Sequence, residues 1–565
     1  MNLRRRGRAR RTLTLRAPPP SYRLQQRLRA GRRPVSEVDG RSAADVTAQL
    51  AALTEAGDHA GAIALATTQL ASSLSGDAAF LDQVRASASK AGAMSLQREA
   101  TALRLSGARG ALDGPALERV ERAGRLLDGR WLETSADWRP TVDPAVLTTL
   151  APVTDPRPGR ILHVLKISMP HRQSGYSVRS MYTLVAERDG GLDPVAVTAL
   201  DFPSSVGVTD APEQEDVAGI PHHRLERDRT PDREPADEHL DAWATELARV
   251  VSRERPSVIH VHSGQRGYDA ALVGLAVGQA LGVPVVYEVR GFFEALWTKD
   301  LAWAEQSEVY RRRRDTETRC MMAADAVVTL SESMRADILE RGVPADRVHV
   351  VPNGVDTTAF APRVRDPELV ARLGLEGRFT FGYVSNLDHY REGQELLIDA
   401  AVALRERGIP ATALIVGDGT RRSFLEAHAA AVGAGDSVIF TGKVPHDSVL
   451  DHYCLLDVFV IPRVDERAAR LVTPLKPFEA MAAGIPLLVS DLPALVEITG
   501  NGSRGASFAA GDGVALADAL EHLHADPARR AALAEAGRDW VVRERQWSSN
   551  GPRYRAIYDE VLVRR

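Results

Sequence analysis

Apolar residues in this chain fall into short runs whose spacing divides it into regions of different texture. Stretches rich in Val, Ile and Leu recur as ILHVL (161–165), VAVTA (195–199), VIHVH (258–262), VVYEV (285–289), AVVTL (326–330) and VHVV (348–351). Helical patterns separate most of them, and such alternation predicts a parallel sheet covered on both faces. A second series comes next, with FTFGYVS (379–385), ALIVG (413–417), VIF (438–440), DVFVIP (457–462) and PLLVS (486–490). The turn Pro352-Asn353-Gly354 lies between the two series, which puts a hinge near 352–378. The predicted class is α/β, with two Rossmann-like halves. Ligands of open α/β sheets bind at the carboxyl ends of the strands, so the facing sheets would share one cleft. The charged stretch 210–239 reads as a surface loop leading into a helix around Trp243.

Before the first strand the texture is helical. Val46, Leu50 and Leu53, then Ile63, Leu65 and Leu70, follow helical spacing, punctuated by Gly57-Asp58 and Gly76-Asp77. The stretch LAALTEAGDHAGAIALATTQL (50–70) resembles a tetratricopeptide-type hairpin, so this part reads as an interaction domain or as a helical packing extension. The expected boundaries are a basic tail (1–40), a helical-hairpin domain (41–139), a linker rich in Pro, Thr and Asp (140–159), a first Rossmann-like domain (160–355) and a second (356–540). A final helix (541–565) is expected to pack back on the first domain.

Composition narrows the function classes. At 565 residues the chain exceeds what one core supports, and its 44% hydrophobic and 26% charged residues with a net charge of -4 argue against a nucleic-acid partner. Cys320 and Cys454 sit in apolar segments and read as core residues, which excludes a disulfide framework or thiolate metal site. No run of about 18 apolar residues occurs, and the first thirty residues lack a secretory apolar region, so the expected location is cytoplasmic. Residues 1–33 carry twelve arginines and no acidic residue. Such a segment is either a solvated tail or an attachment to an anionic membrane face, at about 1 kcal/mol per basic residue near the lipid. A peripheral membrane or protein contact through 1–140 is therefore expected.

The segment 473–486, TPLKPFEAMAAGIP, concentrates the chemistry. Pro474 is expected to start a helix with Lys476 in its first turn, continued by Glu479-Ala480-Met481-Ala482 and ended by Gly484 and Pro486. A helix start with unpaired N–H groups attracts phosphate, Lys476 adds a cation, and Glu479 one turn on can accept bonds from ribose hydroxyls. An amphipathic helix that only packs on its sheet is the plainer alternative.

With these residues the chain resembles glycosyltransferase family 4, whose hallmark is Glu, seven residues, then Glu-Ala-Met-Ala-x-Gly-x-Pro, a hydrophobic strand and Ser-Asp. EAMAAGIPLLVSD (479–491) carries the second half, and RVHVVPNGVD (347–356), IVGDG (415–419), FTGKVPHDSVLDHYCLLDVFVIP (440–462) and RERQWSSNGPRYRAIYDEVL (543–562) extend the likeness over roughly 160–565. The PLKPxEAMA pattern is similar to that of members acting in exopolysaccharide and cell-envelope assembly. The resemblance implies a GT-B fold and a metal-independent, retaining transfer from a nucleotide-sugar donor to a glycan, lipid-linked or small-molecule acceptor. It further implies that main chain near Lys443 and Val444 meets the base, Glu479 the ribose, and Thr473, Pro474 and Leu475 the diphosphate. Gly417 of IVGDG joins this donor set, and Gly175 in SGYSVRS (174–180) would let backbone approach the donor phosphates and acceptor.

Three departures qualify the match. Leu471 stands where the first Glu belongs; the phosphate-binding Gly-Arg-Leu…Lys-Gly becomes Ser385-Asn386-Leu387 with Tyr390-Arg391-Glu392-Gly393; and Arg290 fills a slot that many relatives give to His. Asn386 and Arg391 then belong to the donor loop, and Lys476, Arg391 and Arg470 are the candidates for the displaced positive charge, Lys476 foremost. Arg290 is expected to bind a phosphate or acceptor hydroxyl, or to form an ion pair with Glu288 and Glu294. His262, at a strand's carboxyl end, is a second polar group for the reaction. The expected catalytic set is Arg290, His262 and Lys476. No paired aspartates at metal-ligand spacing occur, so no metal and no resident cofactor are expected. Two alternatives stay open: a GT-B scaffold that has lost activity, and a sugar-nucleotide epimerase.

Overall fold

The structure is a computed structural model that describes residues 42–108, 114–225, 234–264, 267–298 and 300–564. The expected basic tail, 1–40, lies outside the described residues. The chain divides into two compact units, 1–121 and 122–565.

In the first unit the helices Ala43–Glu55 and His59–Leu70 form one hairpin, and Ala78–Lys90 and Met94–Ala108 another. Ser42, Asp58 and Asp77 cap three helix starts by accepting backbone N–H bonds. Val46, Leu50, Ala62, Ala66, Phe80 and Val84 form the buried core.

The boundary expected at 139 falls instead between Glu121 and Arg122, inside the helix Gly114–Glu133. The later part of that helix is bound into the second unit: Arg125 pairs with Asp237 at 2.7 Å, and Arg312 and Arg319 donate to the carbonyls of Trp131 and Glu133. The expected linker 140–159 is likewise laid along this unit. The N–H groups of Thr141 and Asp143 donate to Asp241 and Thr245, and that of Val153 to the Leu281 carbonyl.

Two sheets organise the second unit. The first joins β1 (Arg160–Leu165), β2 (Asp193–Leu200), β3 (Gln214–Val217), β4 (Ile220–Leu225), β5 (Val258–His262), β6 (Val285–Glu288), β7 (Ala326–Thr329) and β8 (Val348–Val350), in the order β3-β4-β2-β1-β5-β6-β7-β8. All neighbours are parallel except β3 and β4. That hairpin lies in the stretch expected to be a loop. The second sheet, β9 (Phe379–Val384), β10 (Ala411–Val416), β11 (Val438–Gly442), β12 (Val458–Ile461), β13 (Leu487–Ser490) and β14 (Ala506–Phe508), is fully parallel in the order β11-β10-β9-β12-β13-β14. The central strands are buried on both faces, which is why their sequences are continuous apolar runs.

The chain crosses between the halves twice, and the crossings touch. A Cβ on Gly354 would lie 2.9 Å from the Arg545 carbonyl, so only glycine lets the two segments approach this closely. The helix Pro527–Glu544 packs on the second half, and Asn550–Val563 returns to the first, burying Tyr554, Ile557, Tyr558 and Val561 against Ile161, Val258, Val286 and Val328. Among the described residues no helix is long and apolar enough to cross a membrane.

Candidate functional site

Segments that follow strands of the two sheets meet around 471–475: Ser331, after β7, donates to the Leu471 carbonyl, and Asn353, after β8, to that of Thr473. The helix there is Lys476–Ala482, with Pro477 in its first turn. It begins two residues later than expected, because Pro474 belongs to the turn that leads in. Lys476 is half-buried and has no hydrogen-bond or ion-pair partner among the described residues. Thr473 Oγ1 is buried and equally unpartnered, while its carbonyl accepts from Asn353 Nδ2 at 3.0 Å. Pro474 and Leu475 are half-buried. Gly175 opens the helix Gly175–Asp189 of the first half, where a Cβ would sit 3.8 Å from Leu475 Cδ1. Thus the glycine loop and the 473–475 turn face each other. Glu479 is oriented by Tyr453, whose hydroxyl donates to it at 2.6 Å and whose ring stacks on Phe459.

The rim comes from the ends of β9, β10 and β11. Gly417 has φ +140°, a Cβ there would be 1.8 Å from the Ser385 carbonyl oxygen, and its N–H donates to Gly442. Lys443 is exposed and Val444 half-buried against the core of this half. Asn386 is exposed and accepts from the Asp388 N–H at 2.7 Å.

The three cations proposed for the displaced charge stand differently. Arg470 is exposed and already bound by both carboxylate oxygens of Asp465, so its charge is matched within its own loop. Arg391 lies 3.4 Å from Glu392 and 3.9 Å from Glu466, a loose arrangement. Burial pushes the Tyr176 phenol up to about 12, and the positive charges of Arg391 and Arg290 oppose the rise. Lys476 is unengaged. A further arginine, Arg463, escaped the sequence reading. It forks onto Glu392 at 3.0 and 3.2 Å and donates to the Val472 carbonyl at 3.0 Å. Burial alone would raise Glu392, but Arg463 and the Tyr383 hydroxyl bring it down to about 2. The acid in the family's lysine position is therefore neutralised from the far side of the loop.

Beneath the glycine loop lies a buried polar network. Arg290 and His262 are each 2% exposed. Arg290 donates to Glu288 at 2.5 Å, to the Tyr176 carbonyl at 3.1 Å, to Ser180 at 2.7 Å and to His262 Nδ1 at 2.5 Å. Arg290 thus forms the ion pair with Glu288 that was the alternative expectation, Glu294 is bound by Arg341 instead, and His262 is engaged by Arg290 and His163. Arg179 binds the same Glu288 at 3.0 Å, together with Asn353 and the Val351 carbonyl. Burial would raise Glu288, yet the two guanidiniums hold it well below the usual carboxylate range. Burial and Arg290 hold His262 well below its usual value, so it stays neutral. Since Nδ1 accepts from Arg290, Nε2–H donates to His163 at 2.9 Å, and His163 in turn donates to Glu187 at 2.8 Å.

Nitrogens of His163, His260 and His262 lie within 4.8 Å of one another. The His260 and His262 rings stack face to face at 4.2 Å, so their in-plane lone pairs do not converge on one point, and the cluster is a hydrogen-bond relay rather than a metal cage.

Comparison with known proteins agrees with this geometry. A family described as "Glycosyl transferase 4-like domain" matches residues 174–354, and "Glycosyl transferases group 1" matches 366–540. The chain is 30% identical over 324 residues to the 2-deoxystreptamine N-acetyl-D-glucosaminyltransferase of Streptomyces fradiae, covering 54% of this chain and 71% of that one. It is 34% identical over 237 residues to a GDP-mannose-dependent alpha-(1-6)-phosphatidylinositol monomannoside mannosyltransferase of Mycolicibacterium smegmatis, covering 41% of this chain but only 61% of the relative's length. A sucrose-phosphate synthase of Thermosynechococcus elongatus shares the fold, with a TM-score of 0.58 at 20% identity over 72% of this chain and all of that one. Two parallel Rossmann-like sheets around one cleft define the GT-B class. Within it, the chain belongs to glycosyltransferase family 4.

Proposed function

We propose that the protein transfers a sugar, with retention, from a nucleotide-sugar donor to a glycan, lipid-linked or small-molecule acceptor in polysaccharide or cell-envelope assembly. The observation that carries this reading is the pairing of an unengaged Lys476 and a Tyr453-oriented Glu479 on one turn, next to Leu475, which faces Gly175. The base lies by main chain at Lys443 and Val444, near Gly417 and Asn386, and the ribose hydroxyls bond to Glu479. The diphosphate meets the 473–475 turn, with Lys476 and Arg391 matching its charge. The leaving diphosphate takes the acceptor hydroxyl's proton on the face it departs from, so the protein's part is positioning and charge neutralisation. Arg290 serves by holding the Tyr176 carbonyl and Ser180 in place, and His262 by orienting Arg290.

Wild type and Lys476→Ala, titrated with UDP-, GDP- and ADP-sugars, test the reading. The variant is expected to bind the preferred donor at least about tenfold more weakly, the effect of losing one charge-assisted contact. Unchanged affinity and turnover would remove Lys476 from the site. The basic segment 1–33 and the helical hairpins are assigned to peripheral membrane or protein contact at the inner membrane face. Cosedimentation with anionic vesicles, lost on deletion of 1–33, is the corresponding measurement.

A further inference from the structure

The short helix Arg467–Leu471, which leads into the donor turn, belongs to the second half by sequence but is gripped by the first. Arg467 donates to Asp337 at 2.6 Å, approaches Glu294 at 3.6 Å and lies 5.3 Å from the centre of the Phe292 ring. One turn on, the Leu471 carbonyl accepts from Ser331 Oγ at 3.1 Å, and its side chain packs against the first half's core. Two residues further, the Thr473 carbonyl accepts from Asn353. Glu497 of the second half also caps the start of the helix Glu332–Glu340 that carries Asp337.

Charge makes the Arg467 contact the decisive one of these. Glu294, Glu317 and Asp337 crowd around a single arginine of their own half, Arg341, whose side chain is 1% exposed and also covers Phe292. Burial and the neighbouring Glu294 push Glu317 up to about 8, so it is protonated at neutral pH. Two carboxylates then remain against Arg341, and Arg467 is the second cation that balances them. A buried carboxylate left without its partner is strongly unfavourable, so the first half has a lasting demand for this side chain.

We propose that Arg467 is a positioning residue for the donor site: its clamp on Asp337 and Glu294 sets the 473–475 turn, which follows Leu471, the residue standing where the family has a sugar-binding carboxylate. The inference rests on the nucleotide-sugar reading above for its functional consequence. Its geometry stands apart from that reading.

The variants are Arg467→Gln, which removes the charge, and Arg467→Lys, which keeps it. Calorimetric titration of UDP, GDP and ADP onto wild type identifies the nucleotide. Arg467→Gln is then expected to weaken its binding and raise the donor KM by about tenfold, with kcat changed by less than about threefold, while Arg467→Lys recovers most of the loss. Wild-type KM and binding in Arg467→Gln would overturn the proposal. Should wild type bind none of the three nucleotides, the donor reading falls, and hydrogen exchange still tests the clamp. The amides of Arg470 and Val472, bonded to the Glu466 and Ala468 carbonyls, are expected to lose about tenfold in protection in Arg467→Gln and to keep it in Arg467→Lys. Equal protection in wild type and both variants would refute it.

Discussion

Single residues decide how closely the loops of the second half approach. Gly417 combines a φ of +140° with a virtual Cβ 1.8 Å from the Ser385 oxygen, so a side chain meets both backbone strain and a clash with rigid main chain. Gly417→Ala is expected to cost about 3 kcal/mol or more, read as a lowered midpoint in urea unfolding, and to move the β9 and β10 ends apart. The glycine was legible as part of IVGDG, but its reason was not, since the atom it must avoid lies on another strand. Leu471 shows the same limit. From sequence it is a missing acid; in the fold its half-buried side chain packs against the first half's core, a contact no local pattern records.

Secondary elements were the most legible level wherever both faces are buried. The apolar runs of the central strands follow from parallel pairing, and they match β1, β2 and β5 through β13 within a few residues. The hairpin β3–β4 was missed because QEDV carries no apolar alternation, a composition suited to a charged edge strand. At the opposite end of the chain, the helix Asn550–Val563 is held by more than apolar packing. The Tyr558 hydroxyl lies 2.7 Å from Glu187 and 2.6 Å from His260, all fully buried. Tyr558→Phe leaves a carboxylate and an imidazole short of a partner. We expect a loss of about 2 kcal/mol in chemical denaturation, with donor KM unchanged, because the relay supports the glycine loop from behind without entering the cleft.

For the whole molecule, buried charge sets the pH response. His222 is pushed down to about 4, chiefly by burial, so the unfolded chain binds its proton more readily and stability rises as pH climbs from about 4 to 6.5. Glu133 and Glu317 act oppositely. Burial raises both to about 8 from 4.5, so between those values the folded protein holds protons that the unfolded chain releases. Stability is lost as pH rises through that window, and above pH 6.5 no gain from His222 offsets it. Denaturation midpoints are therefore expected to fall between about pH 6.5 and 8.5, with a shallower fall in Glu317→Gln. An identical slope in that variant would show that Glu317 is ionised throughout.

The sequence by itself determined the class of fold and singled out the segment for which donor chemistry is proposed, because strand runs, helix starts and glycine turns are set by residues close together in the chain. It also disclosed that charges had been displaced from the family pattern. Only the tertiary structure decided where those charges went. Arg463 meets Glu392 across 71 residues, Arg467 meets Asp337 across 130, and Arg290 finds His262 beneath a loop more than a hundred residues upstream. A buried ion has to be matched by whatever the fold brings within about 4 Å, and no local pattern records that partner.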